Sequence, residues 1–347
     1  MSHLSSNLWM VRLVTLGLLG CWSCNSGSTS NDTDGAVSDS GLTQNDGALG
    51  ADASNTNDSG PYVPFVPGGP SEGCGSTVSQ TGSPVEQTIQ IAGQPTRSYT
   101  IAVPSNYNNA QPYPLFLGFG GFSGAQGDFV YQGSGVDATQ AIFVTLQALS
   151  SGDYDGASYT GALWRANDVS DPSKYVPLEV ESDNLAFFDA LVEHLLSNYC
   201  VDTDRIFASG FSAGGGFTSL LGCVRGDVLR AMAPIAPFLP ENYTSNCQGV
   251  VAAYIGVGAN DSTNSGLSKP ISQAASDLKE ELRVANSCST NSTAAATNCV
   301  QYNDCTTGLD VMWCEVPNQQ HTSPDVASTL YGKSTFDFFM NLNPESS

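Results

Sequence analysis

Gly210-Phe211-Ser212-Ala213-Gly214 has the Gly-x-Ser-x-Gly spacing that seats a serine on a sharp turn between a strand and a helix. Its surroundings fit that reading. Arg205-Ile206-Phe207-Ala208-Ser209 is an apolar run of strand type, small residues Gly214-Gly215-Gly216 follow the serine, and a helix is expected from about Gly214. Gly69-Pro70-Ser71-Glu72-Gly73 repeats the five-residue pattern inside a Pro/Gly stretch with no strand before it, so Ser71 is rejected. A serine hydroxyl becomes a nucleophile only beside a base. The base in turn needs an acid that sets its tautomer and stabilises its cation.

The chain offers three histidines. His3 lies in the N-terminal segment, and His194 falls inside an amphipathic helical stretch where a structural role is expected. His321 sits in the loop Pro317-Asn318-Gln319-Gln320-His321 after the strand candidate Leu309 to Val316. Carboxyl ends of parallel strands are where open α/β sheets place their sites, so His321 is the candidate base. Asp261, directly after the strand candidate Val250 to Gly258, meets the same criterion and is the candidate acid. Asp304 lies in a Cys-rich loop, Asp310 begins a strand at its wrong end, and Asp325 is too close in sequence to His321, so each fits less well.

A tetrahedral acyl intermediate also needs two N–H donors for its oxyanion. Ala213 supplies one. Gly118-Phe119-Gly120-Gly121-Phe122, after an earlier strand, is the candidate for the other, through Phe119 or Gly120; a tight turn without donor role is the alternative. Phe122, Trp164 and Phe211 are candidate substrate contacts. Trp164 and Tyr159 belong to a stretch, Ser150 to Pro177, that reads equally as a lid or as an ordinary covering loop.

The elements that must hold these groups alternate in type. An antiparallel hairpin is expected over Val85 to Ile91 and Ser98 to Val103, then strands at Pro114 to Phe119 and Ala141 to Leu146. Leu185, Phe188, Leu191, Val192, Leu195, Leu196 and Tyr199 recur at helical spacing across Ser182 to Tyr199. Further strands are expected at Arg230 to Phe238 and Val250 to Gly258, with helices at Ile271 to Val284 and Val326 to Leu342. Strands alternating with helices imply an α/β fold: a mostly parallel central sheet with helices on both faces. No internal repeat is visible.

Composition narrows the function classes. The 347 residues carry 33 acidic side chains against 11 basic ones, a formal net charge of −22, which excludes a nucleic-acid binder as the default. No Walker-type phosphate loop occurs, and neither a cofactor nor a metal is expected: the folded region has no CxxC pair and almost no histidine.

The first 24 residues place Arg12 before a short apolar run, too short to span a bilayer and of the type found in export signals. Leu18-Leu19-Gly20-Cys21 resembles a bacterial lipobox, which implies removal of residues 1–20 and lipidation of Cys21; a plain cleaved signal with Cys21 paired to Cys24 is the alternative. Either way the protein leaves the cytoplasm, and the lipid would be its one membrane contact. Residues 21–72 read as a linker. The Ser/Gly/Asp/Asn-rich part, 25–60, has too little apolar surface to order itself; as a flexible coil it reaches roughly 30 to 36 Å. Residues 73–347 form the expected catalytic domain, and its eight cysteines suggest four disulfides whose pairing sequence does not choose.

Tyr199 to Val224, YCVDTDRIFASGFSAGGGFTSLLGCV, resembles secreted esterases of the polyhydroxybutyrate depolymerase and feruloyl or acetylxylan esterase type. Gly258-Ala259-Asn260-Asp261 is similar to that family's acid loop, and His321-Thr322-Ser323-Pro324 to its His-x-Trp-Pro loop. Phe119, Ala213 and Ser323 depart from the family's usual His, Asn and Trp. The resemblance, over about Gly73 to Leu342, implies an α/β-hydrolase fold, a Ser212–His321–Asp261 triad, an acyl-enzyme, and an ester substrate that is polysaccharide-linked or a polyester. It favours feruloyl or acetyl esters of plant cell walls, with polyhydroxybutyrate second. A surface binding lipoprotein on a silent hydrolase scaffold, and amide hydrolysis by the same triad, are the rival readings.

Overall fold

Some strands of the sheet are buried along their whole length and others alternate in burial, and that distinction sets where each lies. The computed structural model describes residues 68–92, 94–121, 136–150, 162–164, 182–237, 251–263, 269–321 and 332–342. Residues 1–67, with the expected signal, Cys21 and most of the linker, lie outside the described residues, as do Phe122, Tyr159, Asp325 and most of the Ser150 to Pro177 stretch.

Strands β1 (Val85–Ile89), β2 (Arg97–Ala102), β3 (Tyr113–Phe119), β4 (Ile142–Leu146), β7 (Val201–Phe211), β8 (Ala231–Ile235), β9 (Ala252–Gly258), β10 (Ser292–Ala296), β11 (Cys299–Tyr302) and β12 (Val311–Val316) form one sheet in the order β1-β2-β4-β3-β7-β8-β9-β12-β11-β10. The middle, from β4 to β12, is parallel throughout. Both flanks are antiparallel. A short ribbon, β5 (Leu149–Ser150) with β6 (Ala162–Leu163), stands apart.

β3, β4, β8 and β9 are buried at every position, as strands covered on both faces must be, whereas β2 alternates buried and half-buried residues near the edge. Three helices share one face: α1 (Ser182–Asn198), α2 (Ala213–Val224) and α3 (Ile271–Ala285) pack on Leu115, Leu117, Val144, Ala208, Met232, Ile255 and Val257. α3 shows the pattern cleanly, burying Ile271, Ala274, Ala275, Leu278 and Leu282 along one stripe. The other face carries α4 (Lys333–Asn341). There Phe116 of β3 touches Phe143, Phe207, Phe336 and Phe339 with ring centroids 5.2, 5.0, 5.1 and 5.7 Å away. Burying a ring of this size contributes about 1.5 to 3 kcal/mol relative to leaving it in water.

Several boundaries differ from the sequence reading for physical reasons. The chain is tied to the sheet before Gly73: Pro70 bridges Asp202, Thr203 N–H donates to the Gly69 carbonyl at 3.0 Å, and the buried Ser71 hydroxyl donates to the Tyr199 carbonyl at 2.7 Å. Residues 68–72 therefore belong to the folded unit, and Ser71 of the rejected Gly-x-Ser-x-Gly match has a structural role. The closing helix is described from Lys333, and 326–331 of that expectation lie outside the described residues. Disulfides Cys74–Cys200, Cys288–Cys305 and Cys299–Cys314 are formed, and Cys223 is disulfide-bonded as well. Among the described residues no helix is long and apolar enough to cross a membrane.

Candidate active site

Ser212 occupies the single residue between β7 and α2, with φ 55° and ψ −117°. A non-glycine residue there stores roughly 1 to 3 kcal/mol of backbone strain, so the surroundings must hold it. They do so from both sides of the peptide. Ser212 N–H donates to the Ile235 carbonyl of β8 at 3.0 Å, and its carbonyl accepts the Gly216 N–H at 2.9 Å. Two glycines make the turn possible. A side chain on Gly210 would run into the Gly214 carbonyl, and one on Gly214 into the carbonyls of Phe119 and Gly120. Strand, helix and the end of β3 thus meet with no space for a methyl group.

Asp261 follows β9 and is fully buried. Its Oδ1 accepts the Thr263 N–H at 3.1 Å, which leaves Oδ2 free to face outward toward the base. His321 comes from the turn after β12. That turn is bound to the acid loop, since Ala259 N–H donates to the Val316 carbonyl at 2.9 Å and Asn260 N–H to the Gln319 carbonyl at 2.8 Å. The loops carrying Asp261 and His321 are one hydrogen-bonded unit.

The three side chains converge. His321 Nδ1 lies 2.7 Å from Asp261 Oδ2, and His321 Nε2 lies 2.8 Å from Ser212 Oγ. An ionised carboxylate can only accept, so Nδ1 is the donor of that pair; the neutral ring then has Nε2 unprotonated and able to accept the serine O–H. The Phe211 ring stacks on the imidazole, centroids 4.9 Å apart at 26°. Ser212 is 8 % exposed and the His321 side chain 13 %, so both are largely covered.

The remaining expected residues fall as follows. Ala213 opens α2, where the first backbone N–H groups have no partner within the helix. Phe119 ends β3, fully buried, with Leu146 and Gly210 as its register partners. The Gly120 carbonyl accepts a hydrogen bond from Trp164 Nε1 at 3.0 Å. The residue that lies against Ser212 is one further on: a Cβ built on Gly121 would sit 3.4 Å from Ser212 Cβ. Sequence reasoning stopped at Phe119 and Gly120; the second consecutive glycine was the signal for Gly121.

Trp164, a candidate substrate contact on a stretch read equally as a lid or as a covering loop, is 2 % exposed and packed in the core against the turn after β3. Its indole finds apolar neighbours in Phe119 and Phe217 and a carbonyl for its N–H, which is what a buried tryptophan requires. His194 lies on α1, edge-on to Tyr99 at 6.4 Å, and takes no part in the cluster. Asp304 sits in a turn, and Asp310 accepts from Gln301 Nε2 at 3.2 Å. Among the described residues no group of three His, Cys, Asp or Glu side chains is arranged to hold a metal.

No family model matches the chain. Curated relatives do. Feruloyl esterase D of Neurospora crassa is 26 % identical over 302 residues, covering 79 % of this chain and 91 % of the relative. Feruloyl esterase C of Emericella nidulans is 30 % identical over 213 residues, covering 58 % of this chain and 66 % of the relative. A solved ferulic acid esterase superposes with a TM-score of 0.50 at 14 % identity over 75 % of this chain and 98 % of its own, a likeness of fold. Its curated homologues are esterases and its fold is that of a solved ferulic acid esterase: the chain is a carboxylic ester hydrolase with an α/β-hydrolase fold.

Proposed function

We propose that this protein is an exported serine esterase acting through Ser212, His321 and Asp261, with feruloyl esters of plant cell-wall polysaccharide as its first substrate class and acetyl esters of xylan as its second. The observation that carries the reading is the pair of contacts made by one imidazole, 2.8 Å to Ser212 Oγ and 2.7 Å to Asp261 Oδ2. The feruloyl preference rests on the names of the relatives.

In this reading Ser212 Oγ attacks the ester carbonyl while His321 Nε2 takes its proton, and Asp261 steadies the imidazolium. The negative charge that forms on the acyl oxygen is met by the Ala213 N–H and by a second N–H from the turn after β3, where Gly121 is the nearest residue. His321 returns its proton to the leaving alcohol. Water then attacks the acyl-Ser212 ester by the same path in reverse, and the carboxylic acid departs. Electrons and protons close within this set of residues.

Residues 1–20 are proposed as a signal, Cys21 as its lipidated first residue, the following segment as a tether, and the remainder as the catalytic domain. The disulfides Cys74–Cys200, Cys288–Cys305 and Cys299–Cys314 support an oxidising compartment.

The test is hydrolysis of methyl ferulate and p-nitrophenyl acetate by the full chain beside Ser212→Ala. Turnover of methyl ferulate that disappears in the variant is the expected result. Turnover of the acetate alone would overturn the feruloyl assignment. No turnover of either, in folded and oxidised protein, would overturn the esterase reading in favour of a binding module.

A further inference from the structure

Two consecutive glycines, Gly120 and Gly121, follow β3, and the second lies against Ser212. Glycine pairs swing readily between backbone conformations, and a peptide bridging them flips at little cost. A turn that must present one N–H in a fixed direction needs an outside restraint. That restraint is Trp164. It leaves the β5–β6 ribbon, enters the core, and donates from Nε1 to the Gly120 carbonyl at 3.0 Å. The indole is itself immobilised: it stacks on Phe217 of α2 with centroids 5.0 Å apart at 13°, and Phe119 packs edge-on against Trp164 and Phe217 at 5.0 and 5.3 Å. The Gly120 carbonyl is wedged between this N–H and the first turn of α2 at Gly214.

The peptide plane converts this into direction. In a trans peptide the Gly120 C=O and the Gly121 N–H point opposite ways. A carbonyl held toward Trp164 turns the Gly121 N–H away from it, at a residue whose Cβ position would touch Ser212 and Phe211 at 3.4 Å. We propose that Trp164 is a positioning residue for ester hydrolysis: its indole N–H locks the Gly120–Gly121 peptide so that the Gly121 N–H, with that of Ala213, receives the charge that develops on the acyl oxygen. The inference rests on the serine-esterase reading. It also departs from the expectation that Trp164 contacts substrate.

Trp164→Phe retains an aromatic ring over Phe217 and removes only the donor. Deleting one oxyanion donor outright costs about 10²- to 10³-fold in kcat, so releasing one from its restraint is expected to lower kcat by about 10- to 100-fold. KM should stay within about twofold, because the ground-state ester carbonyl draws little on these donors. The pH–rate profile should keep its shape, since the His321–Asp261–Ser212 contacts are untouched, and a trifluoromethyl ketone that forms a tetrahedral adduct should weaken in step with kcat/KM. A purely structural role for Trp164 would not single out kcat and the tetrahedral analogue.

A kcat within about twofold of the parent protein, or a rise in KM at constant kcat, would overturn the proposal. Should Trp164→Phe lower the melting temperature, β-(3-benzothienyl)alanine at position 164 decides, because it keeps the bicyclic shape and lacks only the N–H. The same kcat loss there supports the proposal and full activity overturns it. Ser212→Ala separates this result from failure of the underlying reading: activity surviving in Ser212→Ala removes the esterase mechanism itself, whereas an inactive Ser212→Ala beside a fully active Trp164→Phe removes only the role of Trp164.

Discussion

The parallel centre and the Cys-rich antiparallel flank are held together by different means. In the centre, β3, β8 and β9 are buried at every residue, and elements approach until glycine alone fits between them, as at Gly210 and Gly214. In the flank, β10 is exposed at every position and offers the core nothing. Covalent bonds substitute for burial there: Cys299 and Cys314 are direct cross-strand partners joined by a disulfide, and Cys288–Cys305 closes the neighbouring loop. Strand β12 belongs to both regions, pairing parallel with β9 and antiparallel with β11, and the turn after it supplies His321. The geometry around Ser212 thus derives from close packing, while the flank secures the far edge of the strand that precedes His321.

Changes in the centre should therefore act on turnover or on the whole fold, and changes in the flank on stability alone. The largest effect is expected from Asp261→Asn, which leaves the fold intact but reverses the hydrogen-bonding needs of His321 and should lower kcat by about 10⁴-fold, measured by steady-state ester hydrolysis. Phe116→Ala opens a cavity among four aromatic neighbours and should remove about 3 to 5 kcal/mol, read from denaturant unfolding. Removing the Cys299–Cys314 crosslink, whose cysteines are 15 residues apart, by the double replacement Cys299→Ser and Cys314→Ser should cost about 3 kcal/mol with kcat nearly unchanged. A large kcat loss in that variant would break the division of labour. The smallest effect is expected from Lys333→Ala, whose exposed contact with Asp337 on α4 is worth at most a few tenths of a kcal/mol.

The two regions also differed in how much of them could be read from the sequence. Ser212 announces itself because the turn demands glycines at fixed positions, and the strands on either side are apolar enough to stand out. The buried stripe of α1 is legible for the same reason. The hairpin β10–β11 was not legible: Ser292 to Ala296 carries no alternation, because an exposed edge strand held by turns and disulfides has no apolar face to display. Pairing of the cysteines is a property of the folded chain, beyond what spacing encodes. The place of Gly121 beside Ser212 and the burial of Trp164 were not legible either. The direction of a peptide plane and the burial of an indole depend on tertiary neighbours that lie 40 or more residues apart in the chain.

The central claim is that Ser212 is activated by His321 and Asp261. Incubation of the full chain with a fluorophosphonate, followed by mass spectrometry of the proteolysed protein, tests it most directly, since covalent capture at neutral pH requires an activated serine. The account predicts one adduct per chain on Ser212, formed rapidly in the parent protein and lost when His321→Ala or Asp261→Asn is introduced. An unlabelled Ser212 in folded, oxidised protein, or labelling that persists undiminished without His321, would contradict it.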